Sequence, residues 1–166
     1  MMIESTATTA PANDDIFVKK ELFVNAAPER CFEVFTAKMG TWWPLASHHI
    51  GKVDAKTVSI EGRVGGRVYE IGVDGSECPW GEVRAWEPPG RFVFAWQLSA
   101  SFQYDRTIDT EVEVLFTPQS GGTRVELVHR RLGAYGAQAE EMRKAFDSPG
   151  GWTELLEAFG KAVAAS

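Results

Sequence analysis

The sequence predicts an α+β fold in which a curved antiparallel sheet of about six to seven strands wraps around one long C-terminal helix. Residues 57–131 alternate apolar and polar side chains between turn signals, which is typical of an antiparallel sheet with one buried face. The last segment carries one apolar stripe at helical spacing and is long enough to cover that face. Because a strongly twisted sheet curves around such a helix, we expect the two to form two layers around one core.

One strand and two short helices are expected before the main run of strands. Four of the five residues on one face of segment 16–25 are apolar, which predicts a half-buried strand. Pro28 suits the first turn of a helix, where its missing N–H costs nothing, and we expect this helix to end near Lys38. Gly40 and Pro44 then mark a break and a short second helical turn.

Four turn signals divide the central region into strands. They are Gly65-Gly66, Asp74-Gly75, Pro88-Pro89-Gly90 and Gln119-Ser120-Gly121-Gly122. The residues expected on the buried face are Phe92, Phe94, Trp96, Leu98, Val112, Val114, Phe116, Val125, Leu127 and His129. The strand over residues 108–116 can also pair across a dimer, so the sequence allows either a monomer or a homodimer.

The C-terminal helix is predicted to begin at Ser148 and Pro149, which suit its N-cap and first helical position. Its apolar stripe extends over about 15 residues. The stripe consists of Trp152, Leu155, Leu156, Phe159 and Val163. We therefore expect a single domain over residues 16–164. Residues 1–15 lack periodicity and are rich in Ala, Thr, Asn and Asp, which predicts a disordered tail.

Composition excludes several classes of function. The 17 Lys and Arg residues against 23 Asp and Glu residues give a formal net charge of −6, which argues against a nucleic-acid surface. No apolar run approaches the ~18 residues that a membrane span needs. Two isolated cysteines, Cys31 and Cys78, and a start without the pattern of a signal peptide predict a cytoplasmic protein with reduced thiols.

Few residues suggest catalysis or metal binding. The adjacent histidines His48 and His49 point opposite ways on an extended segment and lack the spacing of a metal site, so a surface or cavity-rim position is expected. His129 is the last of the residues expected on the buried face of its strand. We expect it to be a core histidine whose ring is hydrogen-bonded within the protein, with acid–base catalysis as the alternative. No nucleophile or nucleotide motif is present, so we predict no catalytic, cofactor-binding or metal-binding residues.

The order of several short motifs resembles the START-like (SRPBCC) superfamily. Within it, the chain is most similar to the branch of the C-terminal domain of the activator of the 90-kDa heat-shock protein ATPase. The motifs are VNAAPERCFEVF at 24–35, WWP at 42–44, GGR at 65–67, GEV at 81–83, EPPGRFVFAW at 87–96, GTRVELVH at 122–129 and GW at 151–152. The resemblance covers about residues 16–163. It implies a helix-grip fold with an internal cavity between the sheet and the long helix.

The resemblance implies that the chain binds a small hydrophobic or aromatic molecule in that cavity. The 19 aromatic residues, which include six Trp, either line such a cavity or fill a solid core. The expected lining is Phe35, Trp42, Trp43, Tyr69, Phe94, Trp96, Tyr104, Val114, Leu127, His129, Trp152 and Leu156. His129 or Tyr104 is expected to anchor a polar group of the ligand.

Two other functions are compatible with the family. One is a module that binds a protein partner, by analogy with the co-chaperone domain, although the chain shows no second domain. The other is a cyclase- or hydrolase-type enzyme that uses His and Tyr residues of the cavity. The sequence does not identify the ligand, the partner or the oligomeric state.

Overall fold

The computed structural model describes residues 16–166, so the predicted disordered tail at 1–15 lies outside the described residues. Seven antiparallel strands form one curved sheet in the order β1-β7-β6-β5-β4-β3-β2. The strands are β1 (Val18–Val24), β2 (Ala55–Ile60), β3 (Arg67–Gly72), β4 (Glu77–Glu87), β5 (Arg91–Trp96), β6 (Thr110–Gln119) and β7 (Gly122–Arg130). The predicted α+β architecture is confirmed, and each predicted turn joins two neighbouring strands.

Helices follow β1 and β7, and the first of them ends at Phe35, before its predicted end near Lys38. Two short helices, α1 (Pro28–Phe35) and α2 (Met39–Trp42), follow β1. After β7, a 3₁₀ segment (Leu132–Gln138) leads into α3 (Ala139–Asp147), a π-helical turn (Pro149–Thr153) and α4 (Glu154–Ala165). Among the described residues, no helix has the length and apolar content that a membrane crossing requires.

The sheet order places the first strand beside the last. β1 pairs with β7 over its whole length, while β6 is hydrogen-bonded to β5 on one side and β7 on the other. The strand over 108–116 is therefore interior, and the prediction that it can pair across a dimer is wrong because both of its edges are already used. The two edges of the sheet are β1 and β2.

The concave face of the sheet packs on the helices through large apolar side chains. Phe92 on β5 is paired with Val114 on β6, which is paired with Leu127 on β7, and all three side chains are fully buried. From the helical layer, the ring of Phe35 lies 5.2 Å from that of Phe159, centroid to centroid. Burial of these apolar surfaces is the main favourable term in folding and holds the two layers together.

The convex face of the sheet carries a charged network instead. Glu111 on β6 accepts hydrogen bonds from Arg84 on β4 at 2.9 Å and from Arg130 on β7 at 2.9 Å. Glu113 extends this network to Arg130 and to Arg91 of β5. The alternation predicted for these strands thus separates an apolar inner face from an ionic outer one.

The C-terminal helical region differs from its prediction in two respects. The α-helix proper begins at Glu154 rather than at Pro149, because Gly151 has non-helical torsion angles and the chain passes through a π-helical turn. The Ser148 hydroxyl donates to the carbonyl of Ala145 and caps no helix. In addition, α3 was not predicted, although its buried residues Ala139, Met142 and Phe146 have helical spacing.

Candidate functional site

Four tryptophans from four separate segments meet at one end of the core. Trp43 follows α2, Trp80 lies on β4, Trp96 ends β5, and Trp152 lies in the π-helical turn. Ring centroids are 4.9 Å apart for Trp43 and Trp80, 6.0 Å for Trp80 and Trp96, and 5.7 Å for Trp96 and Trp152. We call these four residues the tryptophan cluster.

A pocket of about 290 Å³ opens beside the tryptophan cluster. Its lining residues are Trp43, Ser47, His48, His49, Ile50, Trp80, Trp96, Leu98 and Phe102. The wall is mostly apolar and aromatic, with polar atoms supplied by the 47–49 segment, which is the usual composition of a small-molecule site. A larger groove of about 740 Å³ lies elsewhere, on the outside of α1 against the β4–β5 turn, and does not touch this cluster.

The predicted lining residues divide into three groups. Trp43 and Trp96 line the pocket. Eight others are buried and form part of the packed core: Phe35, Trp42, Phe94, Val114, Leu127, His129, Trp152 and Leu156. The Trp42 ring, for example, lies 5.1 Å from that of Phe35 and 5.5 Å from that of Phe159. Aromatic rings therefore occupy the layer between the sheet and α4 at these positions, and the pocket lies at its edge.

The two remaining predicted lining residues, Tyr69 and Tyr104, lie outside both the core and the pocket. Tyr69 alternates with the buried Val68 and Glu70 on β3, so its side chain is on the opposite face, under the guanidinium of Arg67 at 4.1 Å. Tyr104 follows β5 in a loop and is 41% exposed. Tyr104 is thus not positioned as the expected polar anchor.

His129 is fully buried, and both ring nitrogens are used. The indole N–H of Trp152 donates to Nδ1 at 3.1 Å, and because an indole only donates, the imidazole proton is on Nε2. Nε2 therefore donates to the Thr110 hydroxyl at 2.9 Å, which in turn donates to the Trp96 carbonyl at 2.8 Å. Burial lowers the pKa of His129 to about 3. The side chain is a neutral structural link between β6, β7 and the π-helical turn.

The segment from Ser47 to Gly51 forms the polar rim of the pocket. His48 accepts from the Ser47 hydroxyl at Nδ1 and donates from Nε2 to the Gly150 carbonyl at 3.1 Å, which ties the rim to the π-helical turn. His49 donates from Nδ1 to the carbonyl of Gly51 at 3.1 Å. In the neutral ring this leaves Nε2 of His49 as an acceptor. The predicted cavity-rim position of these two histidines agrees with the structure.

A buried carboxylate fixes this rim from the other side. Glu70 on β3 is 1% exposed, and its two oxygens accept the backbone N–H groups of Ile50 and Gly51, both at 2.8 Å. Charge-assisted bonds of this kind are stronger than neutral ones. The sequence shows Glu70 only as an acidic residue in a strand, because its partners are 19 and 20 positions away.

Neither cysteine is activated for nucleophilic chemistry. Burial raises the pKa of the Cys31 thiol. Burial also raises the pKa of Cys78, and the carboxylates of Glu70 and Asp74 add to this effect. Cys78 lies on β4. Among residues 16–166, no group of three or more His, Cys, Asp and Glu side chains is arranged to hold a metal ion.

Comparison with known proteins identifies similar chains. The family model described as "Activator of Hsp90 ATPase homolog 1-like protein" matches residues 25–164. An anthrahydroquino-Gama-pyrone synthase, Txn09, solved as a complex, is 40% identical over 90% of this chain and 97% of its own, with a TM-score of 0.62. The self-sacrificing resistance protein CalC from Micromonospora echinospora is 27% identical over 92% of this chain and 96% of its own, with a TM-score of 0.68.

More distant similarities concern the fold alone. Protein NE0264 from Nitrosomonas europaea is 14% identical over 95% of this chain and 99% of its own, with a TM-score of 0.62. A search of curated proteins finds no match.

Proposed function

The chain belongs to the activator of Hsp90 ATPase homolog 1-like family within the START-like proteins, and from this premise we propose that it binds a small aromatic ligand beside the tryptophan cluster. The observation that carries the proposal is the pocket of about 290 Å³ between Trp43, Trp80, Trp96 and the 47–50 rim. The three indole side chains in the lining favour an aromatic ligand. The volume lies at the lower end of the range for ligand pockets, which suits two or three fused rings.

Apolar burial is expected to supply most of the gross binding free energy. A ligand that buries ~300 Å² of apolar surface at ~25 cal/mol/Å² gains roughly 7 kcal/mol before the cost of association is subtracted. A dissociation constant in the micromolar range corresponds to about 8 kcal/mol. Contacts at the rim therefore have to offset the cost of association as well as supply the remaining difference.

Filling the pocket tests this proposal. 1-Aminoanthracene, a fluorescent three-ring hydrophobe, is titrated into the wild-type protein and into Ile50→Trp, which adds an indole at the rim. Val73→Trp makes the same kind of change at a site that is 63% exposed and outside the pocket, and serves as the control. We expect Ile50→Trp to weaken binding by about tenfold or more, which is about 1.4 kcal/mol, and Val73→Trp to bind like the wild type.

The proposal fails if the wild-type protein does not bind the dye, or if the two variants bind it equally well. Thermal unfolding of both variants, followed by circular dichroism, shows whether either change has disturbed the fold.

A second candidate function is catalysis on an aromatic ligand in the same pocket. Two observations favour it: the 40% identity with the Txn09 synthase and the free acceptor Nε2 of His49 at the pocket rim. His129, for which the sequence gives acid–base work only as the alternative to a core role, is fully buried with both nitrogens engaged. We therefore assign the base in this alternative to His49.

The enzyme alternative has its own test. The protein is incubated with the substrate of the Txn09 synthase, and formation of the anthrahydroquinone-γ-pyrone is followed by mass spectrometry. We expect His49→Gln to lose product formation and to keep 1-aminoanthracene binding. No product from the wild-type protein, or equal rates for both proteins, contradicts this alternative and leaves the binding proposal standing. The protein-partner function stays a prediction from the family resemblance.

A further inference from the structure

The pocket has a buried inner end and a more exposed outer end. The inner end consists of buried apolar side chains, namely Trp43, Trp80, Trp96 and Leu98. The less buried lining residues come from two loops, the 47–50 rim and the loop over residues 97–109 that joins β5 to β6. The open side of the pocket therefore lies between these two loops.

Phe102 is the residue that the β5–β6 loop contributes to this open side. It lines the pocket and is 41% exposed, so a ligand can reach its side chain. Its ring centroid lies 6.5 Å from that of Phe146, whose ring in turn lies 5.6 Å from that of Trp96 in the pocket wall. These contacts place the ring of Phe102 on the side of its loop that carries the pocket.

The backbone of Phe102 is in a conformation that disfavours a bulky residue. Its φ is +59°, in the left-handed region that Gly and Asn tolerate best. The turn imposes this angle, because the Phe102 N–H donates to the Ser99 carbonyl and the Ser99 N–H donates to the Gln103 carbonyl, both at 2.8 Å.

The stability of this turn does not explain why position 102 carries a phenylalanine. Residues held in sparsely populated backbone regions cost free energy, and they cluster at ligand sites, where the side chain has another use. The ring of Phe102 also stays largely exposed, so apolar burial compensates the cost only in part. Contact with a bound ligand would bury the ring further and supplies the missing reason.

We infer that Phe102 is a specificity-determining residue that selects ligands by length, so that the pocket prefers linear three-ring aromatics to two-ring aromatics. This inference rests on the proposed function, since it narrows the class of ligand for the same pocket. A two-ring ligand is held by the inner end alone, whereas a third ring extends to the outer end and packs against Phe102. Pairs of aromatic rings gain more than their buried area alone provides.

Two matched probes test the inference. 1-Aminoanthracene and 1-aminonaphthalene are both fluorescent, carry the same amine and differ by one fused ring. Each is titrated into the wild-type protein, Phe102→Ala and Phe102→Gly. We expect both variants to bind 1-aminoanthracene about tenfold more weakly than the wild type does, while 1-aminonaphthalene changes by less than about twofold. The decisive result is this loss of preference, because a larger ligand binds more tightly to any apolar site.

The two variants separate the ring from the backbone. Glycine fits the left-handed conformation and alanine does not, so Phe102→Gly should melt at a higher temperature than Phe102→Ala, which reverses the usual order of these residues. Because both variants lack the ring, they should lose the same affinity for 1-aminoanthracene. A loss confined to Phe102→Ala would come from the backbone and would overturn the inference.

Tyr104→Ala is the matched control. Tyr104 belongs to the same loop and is also 41% exposed, but it does not line the pocket, so this variant should bind both dyes as the wild type does. An equal effect of Tyr104→Ala and Phe102→Ala would mean that any change in the loop disturbs binding, which contradicts the inference.

A second measurement keeps the ring in place. With 4-fluorophenylalanine at position 102, the fluorine resonance should shift when 1-aminoanthracene binds and should stay nearly unchanged with 1-aminonaphthalene. This experiment does not depend on the stability of the truncated variants.

The outcomes separate this inference from the proposed function. If 1-aminoanthracene does not bind the wild-type protein, the proposed function itself fails, and this inference with it. If the dye binds but both Phe102 variants keep the wild-type preference, only the inference is overturned. A fluorine resonance that does not respond to bound 1-aminoanthracene also overturns it, because the ligand then does not reach Phe102.

Discussion

The His129 imidazole lies between the Trp152 indole and the Thr110 hydroxyl and is held neutral by burial. Its pKa is about 3 in the folded protein, against 6.5 for an ordinary histidine. The unfolded chain therefore binds one more proton than the folded protein between these two pH values. Stability contributed by this residue is fully present above about pH 6.5 and is lost as the pH falls toward 3.

A pH titration of stability tests this role. We expect the free energy of unfolding of the wild type to fall by about 2 kcal/mol from His129 alone between pH 7 and pH 5, since each pH unit below 6.5 costs about 1.4 kcal/mol. His129→Gln is less stable at pH 7 but should lack this part of the decline. Urea unfolding at both pH values measures the difference. Parallel declines of wild type and variant contradict the assignment, because His48 and His49 are present in both proteins.

The loop between α2 and β2 shows how a distant residue shapes the pocket. It supplies the rim of the pocket and is tied to β3 by the Glu70 carboxylate and to the π-helical turn by His48. Loops carry many binding residues when a rigid scaffold positions them. Here the scaffold contact is a pair of backbone N–H groups on one buried carboxylate.

Glu70→Gln should loosen this rim. The amide offers one acceptor oxygen where the carboxylate offers two, so one of the N–H groups of Ile50 and Gly51 loses its partner. We expect a loss of about 1–3 kcal/mol in stability and weaker binding of 1-aminoanthracene. Amide hydrogen exchange at residues 50 and 51 measures the effect at its source. Glu77→Gln, an exposed change on the adjacent strand, should leave both exchange and binding unchanged.

The start of the C-terminal helical region depends on Gly151. A Cβ there would lie 2.4 Å from the Phe146 carbonyl oxygen and 2.7 Å from that of Ala145, whereas a Cβ on the adjacent Gly150 meets nothing within 4 Å. We expect Gly151→Ala to destabilise the protein by about 1–3 kcal/mol, because backbone atoms have to move. Gly150→Ala should stay within about 0.5 kcal/mol of the wild type. Thermal unfolding of the pair checks this, and equal melting temperatures would refute it.

Local patterns in the sequence predict most of these elements. Alternation and turn residues locate the strands, as Gly65 and Gly121, both with positive φ, illustrate at two predicted turns. The helix α3 is absent from the prediction even though Met142 and Phe146 show its period, because its nine residues are mostly polar and follow a 3₁₀ segment. The π-helical turn could not be predicted, since the contacts at Gly151 form only in the folded chain.

At the scale of the molecule, the charged outer face links four neighbouring strands. Glu111 on β6 lies at its centre. It accepts hydrogen bonds from Arg130 on the adjacent strand β7 and from Arg84 on β4, which lies two strands away. Burial tends to raise the pKa of Glu111, but the two guanidinium groups outweigh it and hold that pKa below its usual value. A carboxyl with a depressed folded pKa contributes stability above its unfolded pKa and loses it as the pH falls through the folded value.

Glu111→Gln should therefore cost stability at pH 7, by about 1 kcal/mol, because it leaves two arginines with a neutral partner. The cost should shrink as the pH falls through the range in which Glu111 becomes protonated, since wild type and variant are then both neutral at this position. Denaturant unfolding across pH 7 to 3 measures it. Glu82→Gln, whose carboxylate contacts Arg84 at 3.5 Å and is 53% exposed, is the control and should change little. A cost that is constant with pH would contradict the electrostatic explanation.

The position of the site was only partly predictable. Trp43 and Trp96 were expected in the lining because aromatic residues at those positions match the family pattern. Trp80 was not expected there. The residues before it resemble a turn, so the sequence does not show that Trp80 lies on the buried face of β4. The rim depends on Glu70, and on His48 meeting Gly150 more than 100 residues away, and no local pattern in the sequence contains such contacts.

The tryptophan cluster also has an optical consequence. Indoles whose ring centroids are 4.9 to 6.1 Å apart couple their electronic transitions, so the cluster should give a split circular-dichroism band that isolated tryptophans lack. Its members stand at positions 43, 80, 96 and 152, so the band can arise only when segments spread over most of the chain have come together. The band should therefore report the assembly of the native core without an added label.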